Sequence, residues 1–255
     1  MRSMIKSIAL AFSFLTILPV LGERAREATP RELAASFSAF PIVGAVLGFI
    51  MSASAFLLSN LVPPPILAVL LTLCLAVLTR FLHLDGLADL ADGLWGGYTI
   101  ERRLEIMRDS RTGSFGAAAL SLILLLKSAS FFILLTQQVW PVLFMSPLFS
   151  RFAMVVAAHG SPYARKEGGL AESFLTHMTT KDLLTAASIS IALSLHISIL
   201  HTAILMTAAA AAAWTVKAVA LRMLGGITGD VLGAINEITE AFVLALGAIL
   251  AHNLS

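Results

Sequence analysis

Three aspartates recur at helical spacing in one short stretch of the chain. Asp85, Asp89 and Asp92 stand at i, i+4 and i+7, so on a helix with about 100° per residue their side chains share an arc of about 60°. No Lys or Arg lies between Arg80 and Arg102 to neutralise them, and like charges on one helix face repel by roughly 0.2–0.5 kcal/mol per pair. A divalent cation would remove that repulsion, and Mg²⁺ commonly joins carboxylates to substrate phosphates. The spacing predicts a Mg²⁺ site; the alternative is a solvated acidic helix face.

A cluster of basic residues and glycine follows the aspartates. Arg108 and Arg111 stand at i, i+3 with Asp109 between them, and guanidinium groups suit phosphate oxygens. Gly113 lies where the next apolar run begins and allows the backbone to approach a ligand closely. A helix that starts there favours an anion at its N-terminus. The cluster therefore predicts phosphate binding, with membrane anchoring of a cytoplasmic loop as the alternative.

A second acidic set begins the last apolar segment. On a helix, Asp230, Glu237 and Glu240 fall within about 80° of one another, and the two glutamates lie about 10–15 Å beyond Asp230. Acidic residues at that depth in a bilayer usually line a polar cavity. Two alternatives remain open at this point: ion pairs with Lys127 or Arg151, and a helix-capping role for Asp230.

The composition indicates whether these elements lie in water or in a membrane. Of the 255 residues, 58% are hydrophobic and 13% are charged, against about half and about 25% in soluble domains. So few charges predict an integral membrane protein. A net charge of +2 with no basic run argues against a nucleic-acid partner, and the single Cys74 excludes an internal disulfide.

Seven apolar segments are candidates for the roughly 20 residues that a spanning helix needs. They are residues 34–58, 62–80, 114–136, 139–158, 183–199, 201–221 and 231–251. Because an unbroken helix over 183–221 would be about 58 Å long, a break near His196–His201 is required. The shorter segment 4–21 has basic residues at both ends, so we predict an interfacial or re-entrant helix there. The fold class is thus an all-α polytopic membrane helix bundle with about seven transmembrane helices.

Charge placement gives the orientation of this bundle. The loops 22–33, 80–113, 159–182 and 217–230 hold nearly all the charge, while the alternate loops hold no Lys, Arg, Asp or Glu. Loops rich in Lys and Arg stay cytoplasmic. We therefore predict one membrane domain, 1–255, with the Asp-rich motif in cytoplasmic loop 80–113. Both acidic sets would open to that side and form a cavity for metal ions and a phosphorylated substrate, which favours displacement at a phosphoryl or pyrophosphate centre.

Motifs along nearly the whole chain resemble those of one family. The three main blocks are His83-Leu-Asp85-Gly-Leu-Ala-Asp89-Leu-Ala-Asp92-Gly, Ile106-Met-Arg108-Asp109-Ser-Arg111-x-Gly113-x-Phe-Gly116 and Gly225-Gly226-x-Thr228-Gly229-Asp230-x-x-Gly233-Ala234. Shorter matches are Phe14-Leu-Thr16-x-x-Pro19, Ser150-Arg151 and Pro162-Tyr163-Ala164-Arg165. The chain resembles the cobalamin synthase family, the adenosylcobinamide-GDP ribazoletransferases of late vitamin B12 assembly in the bacterial inner membrane.

The resemblance implies a Mg²⁺-dependent transfer. α-Ribazole or its 5′-phosphate would attack adenosylcobinamide-GDP, GMP would leave, and adenosylcobalamin or its 5′-phosphate would form. By the same resemblance Asp85, Asp89 and Asp92 would carry the metal, and we add Glu237 as a supporting ligand or base. Substrate binding would fall to Arg108, Arg111, Gly113, Arg165, Thr228 and Asp230. Candidates for the general base are Asp92, Asp109 and Glu237.

Three rival classes fit less well, and none of these patterns reports whether the chain forms a homo-oligomer. Membrane prenyltransferases usually carry two Asn-Asp-x-x-x-Asp motifs, whereas here the second acidic set is Thr-Gly-Asp followed by glutamates. The Asp-Gly-x-x-Ala-Arg signature of CDP-alcohol phosphotransferases fails because Asp89 follows Asp85-Gly-Leu-Ala. A metal or metabolite carrier commonly shows inverted repeats, and none is visible.

Overall fold

Helices account for the regular secondary structure in the part of the chain that the structure describes. The structure is a computed structural model, and it describes residues 2–18, 20, 28–166, 168–195 and 197–254. The helices are α1 (Arg2–Leu15), α2 (Pro30–Ser36), α3 (Phe40–Leu58), α4 (Pro64–Leu78), α5 (Leu82–Gly96), α6 (Ile100–Ile106), α7 (Ser114–Thr136), α8 (Trp140–Ala158), α9 (Leu170–His177), α10 (Thr180–Ser194), α11 (Ile199–Leu224) and α12 (Gly229–Leu254). A 3₁₀ turn, Phe37–Ala39, joins α2 to α3. The all-α prediction is confirmed.

Every segment predicted to span a membrane contains a helix. Five helical units of the described chain are long and apolar enough to cross on their own: Pro30–Leu58, α7, α8, α11 and Gly229–Asn253 of α12. The segments 62–80 and 183–199 contain α4 and α10, which have 15 residues each and are about 22 Å long. At the end of α4 the chain bends by 90° into α5. These two helices are long and apolar enough to cross a membrane only when they are taken together. The chain is a multi-pass membrane protein.

Capping residues mark the helix boundaries that the apolar pattern leaves imprecise. Thr179 and Asp182 form a capping box at the start of α10, which satisfies backbone N–H groups that have no partner inside the helix. The predicted break is present, since α10 ends at Ser194 and α11 begins at Ile199. There the hydroxyl of Ser198 accepts a hydrogen bond from the backbone N–H of His201, while His196 lies outside the described residues.

Helix α8 forms the centre of the bundle. It packs against α3, α11 and α12, and most of its side chains are buried. Fully buried Ala209 and Ala213 of α11 let neighbouring helices approach closely. Large apolar side chains such as Phe49, Leu122 and Trp214 are instead exposed, as a surface in contact with lipid requires.

Helix α1 lies along one end of the bundle. Lys6 forms an ion pair with Glu32, at 2.6 Å, beside the start of α2. The backbone N–H of Ile17 donates to the carbonyl oxygen of Leu78, at 2.8 Å, where α4 finishes. The first residue of α3 and the last residue of α4 lie at the same end of the bundle. Both contacts therefore hold α1 at that end. This arrangement agrees with the interfacial helix predicted over 4–21, of which residues 19 and 21 lie outside the described residues.

Candidate active site

A strained turn places the aspartate-bearing helix. Arg80 and Phe81 both have left-handed backbones, with φ of 56° and 57°, a conformation that costs a non-glycine residue about 1–2 kcal/mol. The hydroxyl of Thr79 donates to the carbonyl oxygen of Leu75, at 3.0 Å, and the N–H of Phe81 donates to that of Ala76, at 2.8 Å. The turn directs α5 away from α4 and against α7 and α12. Strain of this kind is concentrated at functional sites.

Glycines allow α5 and α12 to meet backbone to backbone. A Cβ atom at Gly86 would lie 2.7 Å from the carbonyl oxygen of Asp230 and 2.9 Å from its Cα. On the facing helix, a Cβ at Gly233 would lie 3.2 Å from the Cα of His83. No larger residue fits at Gly86 without moving a helix. This contact brings the first acidic set next to the second, so that Asp85 and Asp230 line one cavity.

The cavity has a charged wall and an aromatic wall. Its volume is about 280 Å³. The polar side chains of the lining belong to His83, Asp85, Tyr163, Arg165 and Asp230. Phe14, Phe37 and Phe174 form the aromatic wall, with the ring of Phe174 centred 5.0 Å from each of the other two. Such a cavity suits a ligand that joins a flat ring to a charged group.

A loop after α8 supplies the arginine of this cavity. The N–H of Ala164 donates to the carbonyl oxygen of Ile227, at 3.1 Å, and the N–H of Ile227 donates to that of Pro162, at 2.9 Å. The loop thereby runs alongside the start of α12. Arg165 donates from Nη2 to Oδ2 of Asp230, at 2.6 Å, while its buried Nε has no hydrogen-bond partner among the described residues. Arg165, which the resemblance assigned to substrate binding, thus lies in the cavity wall.

Negative charge is in excess around Asp89. This half-buried carboxylate lies on α5, outside the five helical units that span on their own. Burial raises the pKa of Asp89 to about 7, and the neighbouring charges of Asp230, Asp85 and Asp92 raise it further, with Arg165 opposing them. A bound cation would favour the ionised form. A divalent cation would balance an excess of negative charge of this kind.

Asp92 has a different task from the one that its spacing suggested. Its Oδ2 accepts a hydrogen bond from the N–H of Gly113, at 2.7 Å, and its Oδ1 accepts one from the N–H of Gly116, at 2.9 Å. The anion predicted at the N-terminus of α7 is thus this internal carboxylate, and Gly113 binds Asp92.

The predicted three-aspartate site is corrected accordingly. No group of three or more His, Cys, Asp or Glu side chains within the described ranges is arranged to hold a metal ion by itself. Asp92 stabilises the first turn of α7, so we do not count it among the metal ligands or the bases. Mg²⁺ usually takes one or two carboxylates and fills its remaining positions with water and substrate phosphate, so one or two of Asp85, Asp89 and Asp230 would be enough.

Glu237 is also held away from the cavity. It is 4% exposed, and its Oε2 lies 2.5 Å from Nζ of Lys127, which also contacts Oε1 of Glu240 at 2.6 Å. Glu240 forms a further ion pair with the fully buried Arg151. The alternative that the sequence left open, an ion pair between helices, is the arrangement observed. Glu237 therefore contacts Lys127 rather than the cavity aspartates, and the roles of ligand and base do not fit it.

The remaining predicted residues fall into two groups. Asp109 and Arg111 form an exposed ion pair at 2.7 Å, outside the cavity, and the hydrogen bonds from Arg111 lower the pKa of Asp109 to about 2. Neither position suits a base or a substrate ligand in this cavity. Thr228 donates to Oδ2 of Asp230 at 3.2 Å and accepts from the N–H of Val231 at 3.3 Å. It therefore caps α12 and orients Asp230.

Arg108 affects one residue of the cavity wall through its charge. Its side chain is exposed, and its charge acts on Tyr163, which lines the cavity. Burial raises the pKa of Tyr163, while Arg165 and Arg108 act in the opposite direction. The predicted phosphate-binding role of Arg108 therefore stays a prediction with a suitable position.

A second cavity meets the first at Asp85. It has a volume of about 490 Å³ and lies between α4, α5 and α7. Its lining is largely apolar, with Val69, Leu84 and Leu124 among the contributors, and Asp85 is one of its few polar residues. Two ligands could therefore approach one carboxylate from opposite sides of α5.

Comparison with known proteins identifies the family. The family model described as cobalamin-5-phosphate synthase matches residues 7–248. The chain belongs to the cobalamin-5-phosphate synthase family. The resemblance drawn from the motifs is confirmed, and the chain is a transferase of cobalamin biosynthesis.

Curated relatives of this synthase family align with nearly the whole chain. One from Syntrophobacter fumaroxidans is 49% identical over 241 residues, which cover 93% of this chain and 96% of the relative. One from Chlorobium chlorochromatii is 38% identical over 97% of both chains, and one from Desulforamulus reducens is 37% identical over 95% of this chain and 96% of its own. Each is named adenosylcobinamide-GDP ribazoletransferase. No solved structure matches the chain.

Two polar residues of this synthase cavity were not among the predicted site residues. The sequence favours a structural role for His83, because on a helix its side chain would point away from the aspartates. In the structure it lines the cavity. Tyr163 also lines it, and its hydroxyl donates to the carbonyl oxygen of Gly168, at 3.4 Å. The available signals were the position of His83 at the head of the aspartate block and that of Tyr163 beside Arg165.

Proposed function

We propose that this chain transfers adenosylcobinamide phosphate from adenosylcobinamide-GDP to α-ribazole or its 5′-phosphate. The hydroxyl oxygen of the ribazole would attack the phosphorus that carries cobinamide. The bond between that phosphorus and the oxygen of GMP would break, and GMP would leave with the electron pair. The supporting observation is that Asp85, Asp230 and Arg165 line one cavity, with Asp89 within reach of their charges, in a family whose curated relatives bear the name of this reaction.

One or two of Asp85, Asp89 and Asp230 would hold Mg²⁺, with water and substrate phosphate in its other positions. Hard carboxylate oxygens are the ligands that this ion prefers, and the raised pKa of Asp89 reflects the negative charge that it would balance. When bound, Mg²⁺ neutralises charge on the diphosphate oxygens and on the departing phosphate.

The side chains of the cavity would position the substrates. Arg165, with an unpartnered buried Nε, can donate to phosphate oxygens as a planar fork. The rings of Phe14, Phe37 and Phe174 offer a surface for a heteroaromatic base. Because Asp85 belongs to both cavities, it lies where two substrates could meet.

The proton of the attacking hydroxyl would go to a cavity carboxylate. The sequence candidates Asp92, Asp109 and Glu237 are engaged by α7, Arg111 and Lys127, respectively. We therefore assign general-base action to the cavity set, of which Asp85 lines both cavities. A base must lie within hydrogen-bond reach of the hydroxyl that it deprotonates.

The cavity would open to the cytoplasm from the bacterial inner membrane. Its lining comes from the start of α12 and from the segments that follow α4 and α8, which all lie at the charged end of the bundle. Segments rich in Lys and Arg remain on the cytoplasmic side, where nucleotide-activated substrates are made.

Release of GMP by the purified protein tests the proposal. In lipid or detergent, with adenosylcobinamide-GDP, α-ribazole 5′-phosphate and Mg²⁺, we expect GMP and adenosylcobalamin 5′-phosphate in equal amounts. Removing divalent ions with EDTA should stop the reaction, and adding Mg²⁺ should restore it. Absence of GMP under these conditions would overturn the transfer, and turnover that persists in EDTA would overturn the metal requirement alone.

A further inference from the structure

His83 is a buried polar group of the cavity wall with one unsatisfied atom. It is 1% exposed and lies at the start of α5. Its Nδ1 is 3.2 Å from Nδ2 of Asn236 on α12, whereas its Nε2 has no hydrogen-bond partner among the described residues. Buried side-chain nitrogen atoms are nearly always paired. Because His83 is a lining residue of the cavity, a ligand bound there can supply the missing partner.

The neighbours of His83 decide which ring nitrogen carries the proton. Nδ2 of Asn236 also donates to Oε1 of Glu237, at 3.3 Å, and Glu237 is paired with Lys127. If the amide were turned over, its carbonyl oxygen would face a carboxylate, which is unfavourable. The amide N–H₂ group therefore faces His83, so Nδ1 accepts and Nε2 of the neutral ring bears the hydrogen.

We infer that His83 donates a hydrogen bond from Nε2–H to an anionic oxygen of the nucleotide diphosphate, and that Asn236 is a positioning residue that sets this tautomer. The class of ligand follows from the cavity chemistry, because Arg165 lines the same cavity and two donors call for an atom that only accepts. The identity of the diphosphate rests on the proposed function; the tautomer and the donor role do not. Through Asn236, the ion pair inside the membrane would act on the cavity.

Two substitutions at His83 separate a donor from a space-filling side chain. The amide of His83→Gln reaches the former position of Nε2 and can donate, whereas that of His83→Asn reaches only the position of Nδ1. We expect His83→Asn to lower kcat/KM for adenosylcobinamide-GDP by roughly 10- to 100-fold, as loss of a hydrogen bond to a charged group does. The kcat/KM of His83→Gln for the same substrate should stay within about fivefold of the wild-type value.

The control is His177→Asn, at an exposed histidine whose Nδ1 contacts its own helix at Ser173; its kcat/KM should equal that of the wild type. Equal kcat/KM in His83→Asn and His83→Gln, whether both intact or both reduced, would overturn the donor role. If the wild type released no GMP, the proposed function would fail instead, so the two failures are distinguishable.

Nitrogen-15 NMR of the wild-type protein tests the tautomer without requiring any His83 variant to fold. With ¹⁵N-histidine, and signals assigned by substituting the other histidines, His83 should show a neutral ring protonated at Nε2. Adding adenosylcobinamide-GDP alone should shift the Nε2 signal, and Asn236→Asp, which offers an acceptor to Nδ1, should move the proton to Nδ1. Protonation at Nδ1 in the wild type, or an Nε2 signal unchanged at saturating ligand, would overturn the inference.

Discussion

Two charged clusters of this molecule lie close together and differ in charge balance. The cavity cluster consists of Asp85, Asp230 and Arg165 in the cavity wall and Asp89, whose pKa their charges affect, so that it holds three acids and one base. The membrane cluster consists of Lys127, Arg151, Glu237 and Glu240, so that two bases face two acids. Every member of the membrane cluster is at most 4% exposed, whereas both members of the Arg165–Asp230 ion pair retain about a fifth of their side-chain exposure.

The difference follows from the cost of removing charge from water. A charge inside the bilayer is expensive unless it is paired, so a cluster on buried faces of α7, α8 and α12 must balance internally. The cavity cluster can keep an excess of negative charge because water, a cation or a charged substrate can reach it. Charge imbalance therefore separates the functional site from the structural cluster, although both are rich in acidic residues.

The largest effect on stability is expected when the membrane cluster loses its balance. Glu240→Gln leaves Lys127 and Arg151 with a single carboxylate partner, and breaking a buried ion pair costs about 3–5 kcal/mol. We expect a lower melting temperature in detergent and less folded protein in the membrane. The matched control is Glu105→Gln, at an exposed glutamate paired with Arg102, which should melt like the wild type. An unchanged melting temperature for Glu240→Gln would contradict the claim that balance holds this cluster together.

The cavity cluster should respond in the opposite way. Asp89→Asn removes a charge that its surroundings disfavour, so the melting temperature should stay the same or rise. Turnover should fall by at least roughly 100-fold, because a carboxylate proposed to hold the Mg²⁺ that neutralises the diphosphate loses its charge. GMP release and melting of the same preparation measure both effects, with Glu105→Gln again as the control. Wild-type turnover would remove Asp89 from the site, and a lower melting temperature would refute the charge excess.

The sequence predicts the parts of this molecule that depend on one element at a time. The apolar segments and the placement of Lys and Arg located the helices and the charged end, since solvation of a helix depends on its own residues. The helical spacing of Asp85, Asp89 and Asp92 is likewise confirmed, because all three lie on α5.

What the sequence could not predict depends on which helices meet. Helix α5 contacts α12 at Gly86 and α7 at Asp92, so the aspartates of one 60° arc receive different partners. For the same reason Glu237 could not be assigned until α7 and α12 were placed together. Neither crossing follows from the periodicity of a single segment.

The smallest effect is expected to separate two exposed arginines at the charged end of the bundle, Arg108 and Arg102. Arg108 acts on Tyr163 in the cavity wall, whereas Arg102 is paired with Glu105 on exposed α6. Arg108→Lys replaces a planar fork by a point charge, so KM for adenosylcobinamide-GDP should rise by roughly three- to tenfold while kcat changes little. Arg102→Lys preserves its charge away from the cavity and should leave both constants as they are. Saturation curves for the two variants measure this difference, and identical curves would reassign Arg108 to anchoring at the membrane surface, where any cation serves.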